Sequence, residues 1–400
     1  RCIAFARGRS YGDSALSEHV IHTRLFDKAL HFDERDGLLT CESGITLAEI
    51  IDAFLPRGWF LEVTPGTKFA SVGGAIASDV HGKNHHLKGC FSESILSLNL
   101  MLPSGEVVQC SRTENPDLFH ATCGGMGLTG IILEATLRLQ RVSGSLIAER
   151  IVRCRNLDEV LEKFERYRWA SYSVAWIDCL AKGREKGRSL LMLGEHTARG
   201  KNPIRRSEPT LSIPFPTPSL MLNRYSVSLF NYWYFARNVP RSEERIVHLD
   251  TFFYPLDRIE HWNRLYGSKG FIQYQFVLPK EGGREGLQNI LDLTSSAGLG
   301  SFLAVLKLLG PENENLLSFP LEGYTLALDF KIQKVLFPFL EKLDRIVMDY
   351  GGRLYLSKDA RMQQHVFRKG YDKLDGFMQI REAYGMNRKF HSLQSKRLGI

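Results

Sequence analysis

The stretch Thr64–His86, TPGTKFASVGGAIASDVHGKNHH, places four glycines, three histidines and two lysines in 23 residues. Three readings compete for it: a metal site, a phosphate loop and a cradle for a larger cofactor. His81, His85 and His86 have metal-donor chemistry, but Gly82 follows the first of them and no cluster of cysteines or carboxylates stands nearby, so no metal is expected. Glycine lets backbone N–H groups approach a ligand closely, and a run of such groups forms an anion-binding nest. Two further glycine-rich stretches lie on either side, GRSYGD (Gly8–Asp13) and CGGMGLTGI (Cys123–Ile131). GRSYGD alone reads equally well as a turn between two strands. Three such stretches within the first 131 residues point to loops converging on one extended ligand, and a dinucleotide with a pyrophosphate fits. The amides around Gly73 and Gly74 are expected to serve its phosphates.

The chain has 400 residues, more than one hydrophobic core of ~250 to 300 residues accommodates, so at least two domains are expected. No run of about 18 apolar residues occurs, which excludes a transmembrane helix and leaves peripheral membrane contact. The chain opens on Arg1 within a strand-like segment, RCIAFARG, so a preceding leader or targeting segment is expected to have been lost. Seven scattered cysteines without CxxC spacing read as reduced thiols. A net charge of +8 suits an anionic partner. The basic residues are dispersed and carry no helix-turn-helix, RNP or zinc-finger signature, so no nucleic-acid partner is expected.

Residues 1–143 alternate short β-type runs with glycine punctuation. One helix is expected at TLAEIIDAFL, where Thr46 and Glu49 have the spacing of a capping box, and LPSGE reads as a hairpin turn. The strand-GxGxxG-helix unit of a Rossmann nicotinamide site is missing. Residues 144–353 have longer strands (YSVAWIDCL, FIQYQFVLP, GYTLALDF) and helices with apolar residues at 3.6 spacing (NLDEVLEKFERY, LQNILDLTSSA, FPFLEKLDRIVMDYG), a second α+β domain. Within it the basic, proline-rich stretch Arg199–Pro218 is expected to be irregular. The aromatic run FNYWYFARN beyond it reads either as a lipid contact or as an ordinary core element.

GRSYGD, TPGT…VGGAIASDVHGKNHH, SGE…PDLFHATCGGMGLTGII, FIQYQFVLP and GGRLYLSKDAR occur in this order over nearly the whole chain. Together they resemble the FAD-dependent decaprenylphosphoryl-β-D-ribose 2-oxidase family of the vanillyl-alcohol-oxidase superfamily. The resemblance implies an α+β fold: a PCMH-type FAD-binding domain of two α+β subdomains, plus an α+β substrate domain with a large antiparallel sheet. The FAD-binding domain is then 1–143, the substrate domain 144–353, and 354–400 returns to the FAD domain. The implied reaction is oxidation of the 2-hydroxyl of a polyprenylphosphoryl ribose to a ketone, with hydride passing to flavin N5. An NAD(P)H-dependent reductase completes the epimerisation to arabinose, and a quinone-type acceptor reoxidises the flavin. The implied location is peripheral to the inner membrane, on its cytoplasmic or periplasmic side.

By the same resemblance, Gly8, Arg9, Ser10, Tyr11 and Gly12 form the first FAD loop. Thr67, Gly73, Gly74, Ala77, Ser78, His81 and Asn84 lie in the second, and Gly124, Gly125, Gly127, Thr129 and Gly130 in the third, with Tyr355 also against the cofactor. Covalent-flavin relatives carry a linking histidine where Arg9 stands, so FAD is expected to be non-covalent. Lys358 matches the lysine beside flavin and substrate, with two roles open: a charge stabilising reduced flavin, or a desolvated base taking the hydroxyl proton. Water is the alternative base. His81 is the second catalytic candidate. Lys83, Trp176, Gln273, Gln275, Lys307, Thr325 and Ala327 join Lys358 on the substrate side. Gln273 and Gln275, two apart in a strand, share a face; buried amides need partners, which sugar hydroxyls would supply.

Two departures stand out. FAR (Phe5–Arg7) precedes Gly8 where the family has RGLG before RSYGD, and Thr325 and Ala327 replace an asparagine and an inhibitor-sensitive cysteine. Without a thiol at position 327, no covalent adduct with nitroaromatic inhibitors is expected there. The altered pocket keeps a second substrate class open, a soluble alditol or aldonolactone.

Overall fold

The computed structural model describes residues 1–199, 211–218, 222–238, 244–301 and 303–400. Its backbone divides into two compact units, one of Arg1–Gly144, Pro311–Pro320 and Leu356–Ile400, the other of Ser145–Gly310 and Leu321–Tyr355. Sequence reading places 144–353 in one domain, whereas Pro311–Pro320 packs with the first unit. Residues 200–210 of the basic, proline-rich stretch lie outside the described residues. Among the described residues no helix is long and apolar enough to cross a membrane. All seven cysteines are free, and burial pushes the thiols of Cys41, Cys154 and Cys179 up to about 12.

The first unit opens with a parallel pair, β1 (Cys2–Phe5) and β2 (His19–His22). Its main sheet is antiparallel, in the order β3 (Ala29–Asp33), β4 (Leu38–Glu42), β8 (Ile131–Arg141), β6 (Ile95–Met101), β7 (Val107–Ser111), with β5 (Trp59–Leu61) paired to β8. Helix α1 (Leu47–Phe54) begins at the expected capping box: Glu49 N donates to Thr46 Oγ1 at 3.2 Å and Thr46 N donates to Glu49 Oε2 at 2.7 Å. These bonds satisfy two backbone N–H groups that the helix cannot serve itself. Leu47, Ile50, Ile51 and Phe54 then fall on one buried stripe. The LPSGE turn closes the β6–β7 hairpin, with Leu102 N donating to Glu106 O and Gly105 at φ +92°.

Short helices α2 (Val72–Ala77), α3 (His85–Lys88) and α4 (Pro116–Thr122) carry the glycine-rich regions, and α10 (Gln364–Gly370), α11 (Leu374–Ala383) and α12 (Leu393–Leu398) close the unit. The C-terminal segment reaches the first strand, since Cys2 N donates to Lys389 O and His391 N to Cys2 O.

One carboxylate organises this unit. Asp79 is fully buried at φ +39° and accepts from Ser92 N (3.1 Å), Asn313 Nδ2 (2.8 Å), Asn315 Nδ2 (2.8 Å) and Ser318 Oγ (2.7 Å). Charge-assisted bonds of this kind offset the desolvation of a buried carboxylate only when its oxygens are well served. They hold segment 311–320 to the loop that carries His81.

The second unit is built on an antiparallel sheet of eight strands: β13 (Arg245–His248), β9 (Leu146–Cys154), β11 (Ser189–Thr197), β10 (Tyr172–Ile177), β16 (Ala304–Leu309), β17 (Gly323–Lys331), β15 (Phe271–Pro279) and β18 (Arg353–Leu354). A small parallel pair, β12 (Leu211–Ser212) and β14 (Ile259–Glu260), stands apart. Helix α5 (Leu157–Arg166) packs on β9 and β11, α8 (Lys280–Ala297) and α9 (Leu336–Asp349) on β15, and α7 (Leu249–Phe253) on β9 and β13. Helix α6 (Arg224–Arg237) contains most of the aromatic run.

Removing Asp79 takes away the acceptor shared by Asn313, Asn315 and Ser318 and leaves Ser92 Oγ as the remaining acceptor for the two amides. Asp79→Ala is expected to cost on the order of 3 kcal/mol or more, read as a lower urea midpoint; an unchanged midpoint would contradict the role given to this carboxylate.

Candidate active site

The first glycine loop is locked to the turn that carries Lys358. Tyr11 N donates to Ser357 O at 3.0 Å, and a Cβ on Gly12 would lie 1.7 Å from Asp359 O, so only glycine fits there. The Lys358 ammonium sits over the Tyr11 ring, 3.9 Å from its centroid, a cation–π contact. Arg397 of α12 ties the two segments from the other side. Its Nη2 donates to Asp13 Oδ1 (2.7 Å) and Asp359 Oδ2 (2.8 Å), and its Nη1 to Met362 O (2.6 Å). Asp359 Oδ1 accepts in addition from Arg361 N and Met362 N. Neither Asp13, Asp359 nor Arg397 stands out in the sequence; the 384-residue separation between Asp13 and Arg397 hides their partnership.

Arg9 is exposed and reaches the second loop, its guanidinium 5.4 Å from the Phe69 ring centroid. In that loop Thr67 Oγ1 accepts from Phe69 N. The expected role of the Gly73 and Gly74 amides is corrected: Gly73 N donates to Ser43 O at 2.7 Å and Gly74 N to Ser71 Oγ at 3.2 Å, so both are taken. Ser78 N closes α2 on Gly74 O, and Ala77 O accepts from Met126 N. His81, Asn84, His85 and His86 are all buried and Lys83 is partly buried. The His81 ring lies 5.5 Å from that of Phe319. A Cβ on Gly82 would meet Asn84 Oδ1 at 2.6 Å and Thr64 O at 2.9 Å, which is why the loop folds back on TPGT only with glycine there.

The third loop is fastened to the second, with Gly124 N donating to Ile76 O and Met126 N to Ala77 O. Gly125 and Gly130 are required by chain packing, since a Cβ would fall 2.0 Å from Ala121 O and 2.6 Å from Met101 O. Gly127 takes φ +77° beside Ile3, and Thr129 shares a buried hydrogen bond with Thr122 at 2.9 Å.

These loops fit a dinucleotide. Among the described residues the N–H groups of Gly8, Arg9, Ser10, Gly12, Gly66 and Thr67 have no acceptor. Asn84 Oδ1 and Ser357 Oγ are buried without a hydrogen-bond partner. A Cβ on Gly66 would meet nothing within 4 Å, which leaves open room beside the backbone there, whereas one on Gly74 would crowd Ser71 Oγ at 3.1 Å. Buried polar atoms of this kind call for a further partner.

In the second unit, strand register puts the remaining candidates on one sheet face. Gln275 pairs with Ala327, Ala327 with Val305, and Val305 with Trp176. Gln273, Thr325 and Lys307 lie two residues along on the same strands and so share that face. Tyr274, between the glutamines, points the other way and donates to Asp344 of α9 at 3.0 Å.

The two amides find partners inside the protein: Gln275 Nε2 donates to Thr325 Oγ1 (3.2 Å) and Gln273 Nε2 to Asp329 Oδ1 (2.6 Å). Asp329, missed from sequence, also accepts from Tyr266 OH. Lys307 keeps some exposure, yet desolvation pulls its pKa from 10.5 to about 8, and it has no hydrogen-bond or ion-pair partner among the described residues. Tyr355 is buried at the end of β18 and donates from its backbone to Gln275 O.

An FAD binding domain family model matches residues 1–111. The chain is an FAD-dependent oxidoreductase with a PCMH-type FAD-binding domain, of mixed helix and sheet with a large antiparallel sheet. It is 36% identical to decaprenylphosphoryl-β-D-ribose oxidase of Mycolicibacterium smegmatis, over 100% of this chain and 89% of that protein. It is also 30% identical, over 89% of its length, to a Streptomyces coelicolor protein known as an uncharacterized protein in the mprA 5' region, all of which is covered. L-galactono-1,4-lactone dehydrogenase 1 of Oryza sativa is 31% identical over 30% of this chain and 20% of its own. The chain belongs to the decaprenylphosphoryl-β-D-ribose oxidase family.

Because Arg397 joins the first loop to the Lys358 turn, Arg397→Ala is expected to weaken FAD retention by about tenfold or more. Flavin fluorescence after dialysis checks this; full retention would mean that the loop holds its shape without the arginine.

Proposed function

We propose that the chain oxidises the 2-hydroxyl of a polyprenylphosphoryl-β-D-ribose to the 2-keto sugar, the first half of an epimerisation to arabinose. Lys307 carries the choice of substrate. A desolvated ammonium without an internal partner, on the same sheet face as Gln275 and Thr325, suits an anionic group attached to a hydroxylated sugar. A neutral alditol or aldonolactone would leave that charge unanswered. The full-length similarity to a decaprenylphosphoryl-ribose oxidase supports the same substrate, whereas the similarity to a lactone dehydrogenase covers 119 residues.

FAD, when bound, supplies the hydride acceptor, held by the free amides of the first loop and of Gly66 and Thr67 together with Asn84 and Ser357. Arg9 offers no linking nucleophile, so the cofactor is non-covalent; acid precipitation is expected to leave the flavin in the supernatant, and flavin in the pellet would overturn this. Lys358, oriented by Tyr11, receives or orders the proton of the sugar hydroxyl, and His81 and Lys83 continue the second loop toward the substrate. Gln275, Gln273 and Thr325 orient the sugar, Trp176 walls the site, and Ala327 leaves room without a thiol. An NAD(P)H-dependent reductase consumes the ketone and a quinone-type acceptor reoxidises the flavin, at the surface of the inner membrane.

Anaerobic flavin bleaching by polyprenylphosphoryl ribose, set against free alditols and aldonolactones, tests the substrate; bleaching by the free sugars alone would reverse the assignment. Lys358→Ala is expected to slow bleaching by about 100-fold or more with FAD still bound. An ammonium with a pKa of about 8 is charged below that pH and neutral above it, so KM for the phosphorylated substrate rises as pH passes through about 8. Lys307→Met should raise KM about 10- to 100-fold below that pH and flatten the profile. A retained profile would assign the phosphate to another cation.

A further inference from the structure

Helix α6 buries Val227, Asn231 and Phe235 and yet leaves a row of large apolar side chains outside. Its inward side is anchored by a polar group: Asn231 is fully buried and its Nδ2 donates to Asp178 Oδ1 at 2.7 Å. Asp178 is held in turn by Arg188, whose Nε and Nη2 donate to Asp178 Oδ2 at 3.0 and 2.8 Å. Around this polar pin pack Phe235, with Arg153 at 4.0 Å and Arg188 at 5.1 Å from its ring centroid, and Tyr234, edge-on to Trp176 at 4.9 Å. The outward side is aromatic and aliphatic. Tyr225 is 76% exposed, Leu229 70%, Tyr232 61% and Trp233 51%, and their spacing of four, three and one residues puts them on one stripe. A contiguous exposed apolar stripe marks a surface that another phase or partner covers.

We propose that this stripe seats the protein on an anionic lipid bilayer. Tyr and Trp side chains, part apolar and part hydrogen-bonding, are the ones favoured at the boundary between water and hydrocarbon. Arg224 and Arg237 stand at the two ends of the helix, each over an aromatic ring of the stripe (Tyr225 at 5.5 Å, Trp233 at 5.0 Å), and Leu222–Asn238 contains no acidic residue. Two arginines framing an aromatic face complement anionic headgroups, each basic residue adding to attraction within a Debye length of the surface. A second copy of the same face would bring like charges together, which disfavours self-association through it.

The position of the helix gives the contact a purpose. Its inner side packs on Trp176, Leu190, Ile151 and Met192, on the sheet face that carries Gln275, Thr325 and Lys307. A lipid surface on the outer stripe is therefore one helix thickness from the proposed pocket wall. That purpose, though not the surface itself, rests on the lipid-linked substrate proposed above.

The test is co-sedimentation of the whole FAD-loaded chain with phosphatidylglycerol-containing vesicles and with pure phosphatidylcholine vesicles. Binding to the anionic vesicles is expected, weakened about tenfold or more in the double variant Tyr232→Ser/Trp233→Ser. Thermal melting and bound-flavin absorbance of the same variants show that the fold is intact. As a second readout, brominated-acyl lipids are expected to quench tryptophan emission in the parent and distinctly less in Trp233→Phe. No binding to anionic vesicles, undiminished binding of the double variant, or a dimer in solution that these variants dissolve would each overturn the proposal. If vesicle binding fails while polyprenylphosphoryl ribose still bleaches the flavin, the substrate assignment stands without this surface; if vesicles bind and only free sugars bleach, the reverse holds.

Discussion

The buried carboxylate of Asp79 is the constraint on which the first unit turns. An ionised group with no solvent around it is tolerated only where donors surround it, and here they come from two distant parts of the chain: Ser92, and then Asn313, Asn315 and Ser318. Asp79 itself sits at φ +39°, a conformation unfavourable for most side chains, two residues after the end of α2 and two before His81. The same four bonds therefore tie the loop that leads to the histidine to a segment that by sequence belongs between β16 and β17 of the other unit. Phe319, next to Ser318, then supplies the ring beside His81. The local geometry of the second loop is thus decided by residues more than 200 positions away.

That arrangement changes what the glycines mean. In sequence they look alike, a set of small residues near a proposed phosphate. In the structure they divide by what a Cβ would strike. Gly12, Gly82, Gly125 and Gly130 are filled against carbonyl oxygens of neighbouring segments, so they let chain pack on chain. Gly66 faces open space, which is where a cofactor could lie on the backbone. The amides of Gly73 and Gly74 bond to Ser43 and Ser71, and among the described residues the N–H groups without an acceptor are those of Gly8, Arg9, Ser10 and Gly12 in the first loop and of Gly66 and Thr67 after Pro65.

Features governed by near neighbours along the chain are legible in the amino-acid order alone. The Thr46–Glu49 box, the LPSGE hairpin and the shared face of Gln273 and Gln275 depend on three- or two-residue spacings, and each takes the expected form. What stays hidden depends on long-range pairing: Arg397 with Asp13, Gln273 with Asp329, and the return of 311–320 to the first unit. The aromatic run in α6 is the instructive middle case. Its composition admits a core element or a lipid contact equally, because hydrophobic count does not say which side faces inward. The bond from Asn231 to Asp178, across 53 residues, joins buried Val227 and Phe235 in setting which side faces inward, and Tyr225, Tyr232 and Trp233 are left outside.

The sheet face of the second unit also shows how two opposite charges on one surface come to have different roles. Asp329 is buried, but its oxygens accept from Gln273 and Tyr266, so its charge is spent on internal donors. Lys307, on the neighbouring strand β16 and opposite Thr325, has been given no such answer among the described residues, and desolvation alone lowers its pKa. Leaving a cation unsatisfied costs stability, and a core of the same volume without it would be more stable. Such a cost is retained where binding offsets it, because an anion that enters recovers both the desolvation of the ammonium and its own. The anionic, hydroxylated substrate proposed for this face rests on that asymmetry between a neutralised carboxylate and an unanswered ammonium.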